Sequence, residues 1–179
     1  VTNVDNDTSG ITVSAISGNT TEAGGTATFT VVLTSQPTAN VTIGLSSDDT
    51  SEGTVPASIT FTTANWNTAQ TVTVTGVDDL IDDGNIEYHI VTSAGSADEA
   101  YFFINPADVT LTNTDNDTSG ITVTAISGNT TEAGCTGTFS VTLNTQPTAD
   151  VTIGLSSDDT SEGTIDKASL TFTSVNWNV

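Results

Sequence analysis

The chain has 179 residues, with 22 Asp and Glu against one basic side chain, Lys167, for a formal net charge of −21. That balance excludes nucleic acid and anionic lipid as partners, since both attract positive charge, and no apolar run is long enough to enter a membrane as a helix. With one His and one Cys, the chain lacks the parts for thiolate or imidazole metal sites and for a hydrolytic triad, so no enzymatic activity is expected.

Thr, Val, Ser and Gly prevail, which suits short strands and turns. Taken in order, Ile11, Val13 and Ala15 alternate with polar residues as a first strand, and Ala27, Phe29, Val31 and Leu33 as a second. Ser35-Gln36-Pro37-Thr38 turns the chain. Val41, Ile43 and Leu45 mark a third strand, Ile59 and Phe61 a fourth, and Val72 and Val74 a fifth. Ile86, Tyr88 and Ile90 mark the sixth, and Val109 and Leu111 the seventh. Seven short strands with no helical period predict an all-β fold, an immunoglobulin-like antiparallel β-sandwich. Trp66, between the fourth and fifth strands, is expected to cap the core, and His89 to point into solvent. Tyr101-Phe102-Phe103-Ile104 reads either as an exposed sticky patch or as a flap folded over the core.

The stretch Val4-Asp5-Asn6-Asp7-Thr8-Ser9-Gly10-Ile11 returns as Thr114-Asp115-Asn116-Asp117-Thr118-Ser119-Gly120-Ile121, which sets a period of 110 residues. Val41 through Thr54 returns unchanged as Val151 through Thr164. A period of that length is a whole domain in tandem repeat. The expected organisation is a 1–7 tail and acidic linker of a preceding repeat, a complete domain over 8–117, and the first four strands of a second repeat over 118–179. Both ends read as cuts in a longer array. Half a sandwich leaves its core and strand edges open, so the partial repeat is expected to be disordered or completed by strands of another molecule.

If successive strands run antiparallel, ten of the fourteen acids of residues 8–117 fall at one pole. They are Glu22, Asp48, Asp49, Glu52, Asp78, Asp79, Asp82, Asp83, Asp115 and Asp117. Carboxylates so crowded raise one another's pKa values or recruit cations, and this repeat holds no Lys or Arg to balance them. A hard divalent ion fits an all-oxygen donor set. Calcium, with six to eight oxygens and tolerant geometry, suits it better than magnesium, and the ligand count allows roughly two to four ions. Asp115-Asn116-Asp117-Thr118-Ser119-Gly120 opens like an EF-hand loop, but its twelfth position is Ile126 rather than Glu.

The set formed by Glu22, the Asp48-Asp49 turn, Gly76 through Asp83 and the closing Asp115-Asn116-Asp117 resembles the Calx-beta family. Those are calcium-binding sandwich domains of sodium–calcium exchangers, integrin β4 and many bacterial surface proteins. The resemblance implies calcium ligands at Glu22, Asp49, Asp78, Asp79 and Asp83 and in Asp115 through Asp117, with Ile81 offering a backbone carbonyl. Leu80 and Asn116 stand where exchanger domains often carry Asp, which implies fewer or weaker ions. It further implies an extracellular or cell-surface protein of bacterial type, a calcium-stiffened spacer in an adhesin stalk or matrix. Its partners are calcium ions and neighbouring repeats or other copies of the chain. The alternative is a subunit of a self-assembling filament or surface layer completed by intermolecular strand pairing. Cys135 replaces Gly25 of the first copy, and a lone thiol staples nothing within its own chain.

Overall fold

The computed structural model describes residues 1, 2, 4 and 6–179; Asn3 and Asp5, both in the expected 1–7 linker, lie outside the described residues. The chain divides into two compact units, Val1–Asp79 with Gly84–Asn116, and Leu80–Asp83 with Asp117–Val179.

Alternating apolar residues make the first unit almost wholly β. Its strands are β1 (Ile11–Val13), β2 (Thr20–Thr21), β3 (Thr26–Leu33), β4 (Val41–Ser47), β5 (Gly53–Thr54), β6 (Ser58–Phe61), β7 (Gln70–Gly76), β8 (Ile86–Ser96) and β9 (Val109–Thr114). They form one sheet in the order β1-β3-β7-β5 and another in the order β2-β9-β8-β4-β6. Ala27, Phe29, Val31, Leu33, Val72 and Val74 from the first sheet share one core with Val41, Ile43, Phe61, Tyr88, Ile90 and Leu111 from the second. Period-two alternation puts every second side chain of each strand into this core, and two sheets meeting on their apolar faces form a β-sandwich. Trp66 packs partly buried against the same core.

The first predicted strand is shorter than its pattern, and a second piece follows it in the other sheet. β1 stops at Val13 because the Ser14 and Ser17 hydroxyls accept hydrogen bonds from the Thr30 and Thr28 N–H groups, each at 2.9 Å. Side-chain acceptors of this kind compete with the regular ladder. The chain then crosses to the other sheet, where β2 pairs parallel with the end of β9, Thr20 opposite Asn113 and Thr21 opposite Thr114. Between β8 and β9 a single helical turn, α1 (Glu99–Phe102), is capped by Asp98, whose carboxylate accepts from Ala100 N at 2.9 Å and from Thr38 N at 2.7 Å. The aromatic segment splits between its two expected fates. Tyr101 is buried, with its hydroxyl donating to Ser35 O at 2.6 Å, and Ile104 packs against the core, while Phe102 and Phe103 are exposed.

The second unit is ordered as two hairpins rather than lacking structure. β10 (Ile121–Val123) pairs with β11 (Val141–Leu143), and β12 (Val151–Gly154) with β13 (Ser169–Phe172). The first register, Ile121 opposite Leu143, repeats that of Ile11 opposite Leu33 in the first unit. Val141, Leu143 and Phe172 form a small core with Val151, Ile153, Leu170 and Trp177 against it. Leu80–Asp83 joins this unit through two backbone donors, Gln146 N to Leu80 O and Ser119 N to Asp82 Oδ2, both at 2.7 Å.

Two phenylalanines at equivalent places, Phe29 and Phe139, are 1% and 40% exposed. Phe29→Ala is expected to cost the first unit about 3–5 kcal/mol, and Phe139→Ala about 1 kcal/mol or less. Urea unfolding followed by circular dichroism measures both, and equal costs would contradict the difference in packing.

Candidate metal centre

β2 is only two residues long, yet it sets the position of the most unusual acid in the chain. Thr20 is fully buried, and its hydroxyl lies 2.9 Å from the buried Tyr88 hydroxyl. One residue past the strand, Glu22 N donates to Thr114 O at 3.1 Å, so the parallel pairing continues and carries the Glu22 side chain to the exit of β9. Glu22 is buried there at 3% exposure. Its Oε2 accepts the backbone N–H of Asn116 at 3.0 Å.

The rest of the exit segment is held from several sides. Asp115 Oδ2 accepts from Gly84 N at 2.7 Å, and Asp115 N donates to Asn85 Oδ1 at 3.0 Å. Asn116 Nδ2 donates to Asp78 Oδ1 at 3.1 Å. Carboxylate oxygens of Glu22 and Asp115 lie within 4.8 Å of each other. Two oxygens that each stand 2.3–2.6 Å from one calcium ion are at most about 5 Å apart. The spread and the all-oxygen donors therefore fit a hard cation, and this acidic cluster could hold a metal ion.

Electrostatics point the same way. Glu22 is raised from 4.5 to about 7, first by burial, then by the charge of Asp115, a hydrogen bond between the two carboxyls and the charge of Asp79, against the lowering effect of the Asn116 N–H. A carboxyl–carboxyl bond needs a proton on one of its two partners. Residues 8–117 hold no Lys or Arg to supply a counter-charge, and a proton shared between the two carboxyls relieves their repulsion.

The ten residues expected to bind metal are only partly gathered. Glu22 and Asp115 come together, Asp79 acts on Glu22 by its charge, and Asp78 and Asn116 are hydrogen-bonded beside them. Asp48 is engaged by His89, accepting from its N–H at 2.7 Å with Nδ1 at 2.9 Å, and these bonds hold its carboxyl below the ordinary range. His89, expected to face solvent alone, thus has a carboxylate partner. Asp49 accepts from Ser51 N at 3.0 Å and closes its own turn. Ile81, Asp83 and Asp117 belong to the second unit.

Two supporting residues carry no acidic signal. Asn113 is 1% exposed, and its Nδ2 donates to Val77 O at 2.9 Å and to the buried Glu52 at 3.4 Å, which fixes the start of the 77–79 segment. Gly76 leaves room for this arrangement, since a Cβ there would lie 2.3 Å from Thr21 O and 2.6 Å from Asn113 Oδ1. Asn113 was detectable as a polar residue on the inward phase of Val109 and Leu111. No protein-family model matches the chain, and no curated protein matches its sequence.

Because the folded Glu22 titrates near 7 and an unfolded one near 4.5, the folded state binds more protons between those values. Its stability therefore falls as pH rises from about 4.5 to about 7 and levels off above. The full shift corresponds to about 3 kcal/mol. Urea unfolding of the metal-free chain across this range is expected to show a decline of that order, and Glu22→Gln to flatten it. A parent profile as flat as that of the variant would contradict the assignment.

Proposed function

We propose that the chain is a calcium-binding structural repeat of the Calx-beta kind, which rigidifies a longer extracellular array such as an adhesin stalk or matrix spacer. The observation that carries this reading is the meeting of the Glu22 and Asp115 carboxylates at the exit of β9, in a repeat with no Lys or Arg. Glu22 and Asp115 hold the ion, with Asp79 adding negative charge to the site. When bound, the ion supplies the positive charge that lets all of these carboxylates ionise together.

The structural consequence follows from what the site joins. Glu22 comes from the end of β2, Asp78 and Asp79 from the segment after β7, and Asp115 and Asn116 from the exit of β9. Unneutralised, these segments repel one another, and the exit becomes a hinge. Neutralised, the exit is fixed against its own domain. Extracellular modules bind calcium with dissociation constants of about 0.1–1 mM, so millimolar calcium outside cells keeps most of such sites filled.

Thermal melting with and without calcium tests this. At a hundredfold excess over the dissociation constant, one site adds about 2.7 kcal/mol, a rise of about 10 °C or more for a domain of this size. The double variant Glu22→Gln with Asp115→Asn is expected to lose most of that rise, while Asp48→Asn keeps it. Equal rises in parent and double variant would overturn the site, and no rise in the parent would overturn the function.

Binding must also displace the Glu22 proton. Apparent calcium affinity is expected to be roughly tenfold lower at pH 6 than at pH 8, with about one proton released per ion near pH 6. Calorimetry in two buffers of different ionisation enthalpy reads both quantities. Affinity independent of pH would show that Glu22 is not a ligand.

A further inference from the structure

The two units offer the same strand in two states of cover. In the first, Thr26–Leu33 lies between β1 and β7, and Ala27, Phe29, Val31 and Leu33 are all buried. In the second, the matching residues 136–143 pair with β10 on one side, and only Val141–Leu143 form a strand. That paired side already has the geometry of the first unit. Thr138 N and Ser140 N donate to the Ser127 and Thr124 hydroxyls at 2.9 and 2.8 Å, as Thr28 N and Thr30 N do to Ser17 and Ser14. Ser127 N to Thr138 O and Thr124 N to Ser140 O repeat Ser17 N to Thr28 O and Ser14 N to Thr30 O. The other side has no strand beside it among the described residues. Phe139 is 40% exposed, and Ile121, Val123 and Ile126 are 55%, 58% and 56% exposed.

We infer that residues 136–141 are a preformed acceptor for one added strand, an uncharged segment of alternating Thr and Val with the pattern of Gln70–Gly76. The first unit shows both the occupant and its register. There β7 runs antiparallel to β3, Gln70 opposite Val31 and Thr75 opposite Thr26, and buries Val72 and Val74 almost completely. Shifted by the period of 110 residues, the added strand sets its Gln opposite Val141, its two valines opposite Phe139 and Gly137, and its last Thr opposite Thr136. Backbone hydrogen bonds along the edge give affinity, and the two valines on the inner face give specificity. Charge separates this occupant from a second intact copy. Gln70–Gly76 carries no charged side chain, whereas whole chains of net charge −21 repel each other. The inference does not depend on metal binding.

The sole cysteine supplies a reporter at the proposed site. In the first unit Gly76 N donates to Gly25 O at 3.0 Å, and Cys135 stands at the position of Gly25 and is exposed. The probe is a synthetic peptide with the sequence of residues 68–77, titrated into the full chain carrying an environment-sensitive fluorophore on Cys135. A saturable signal is expected. It should weaken at least tenfold for a peptide with Val72→Asp and Val74→Asp, and equally for the chain variant Phe139→Asp, whose side chain is already half in solvent. Hydrogen exchange of the unlabelled chain should show new protection confined to residues 136–141. A scrambled peptide of the same composition binding equally well, protection elsewhere, or no saturation would overturn the inference. So would the same signal appearing with chain concentration alone, since that would assign the edge to self-association.

Discussion

Repulsion among carboxylates, in a repeat whose sequence holds no Lys or Arg, is the constraint on which the first unit is organised. Burial first, and then the charge of Asp115, raise the Glu22 carboxyl to about 7. A buried Glu beside two aspartates destabilises the fold at neutral pH unless something positive joins it. A surface kept acidic for solubility alone gains nothing from burying one of its acids. Bringing that acid in contact with the chain exit couples charge to the fixing of the exit segment.

The sandwich makes this possible through a pairing that is local to neither residue. Glu22 and Asp115 are far apart in sequence, and they meet because two residues, Thr20 and Thr21, leave the first sheet and add to the edge of the second alongside β9. Thr20 is anchored on the Tyr88 hydroxyl, Gly76 leaves space for the crossing, and Asn113 ties down the segment that follows β7. A shift of one residue in the β2 pairing would turn Glu22 to the opposite face of the sheet. Much of the precision of the site therefore lies in neutral residues.

Strand positions were legible because Thr and Val alternate so regularly that the buried phase of β3, β4, β7 and β9 can be read directly. The acids at the exit were legible as the end of a long repeat. What escaped was set by hydrogen bonds without a periodic signature. Ser14 and Ser17 end β1 early by accepting from β3, and the parallel addition of β2 depends on a buried Thr–Tyr contact. Asp98 caps a single helical turn that no 3.6-residue pattern announces. Charge counting treats every carboxylate alike and gives no sign that the N–H and ring of His89 bind Asp48. For residues 118–179, the sequence shows which strand patterns recur but not that they pair as two hairpins.

The two units contain related strand sequences and differ in their cover, so the chain contains its own control for what the sandwich contributes. Phe29 and Phe139 lie at matching places, and only the former is enclosed. The central claim concerns the acidic exit, and its most direct test is an anomalous difference map from crystals grown with calcium. The account predicts a peak bonded by carboxylate oxygens of Glu22 and Asp115 at about 2.3–2.6 Å. A map with no peak there, or with calcium only on exposed acids such as Asp48, would contradict it.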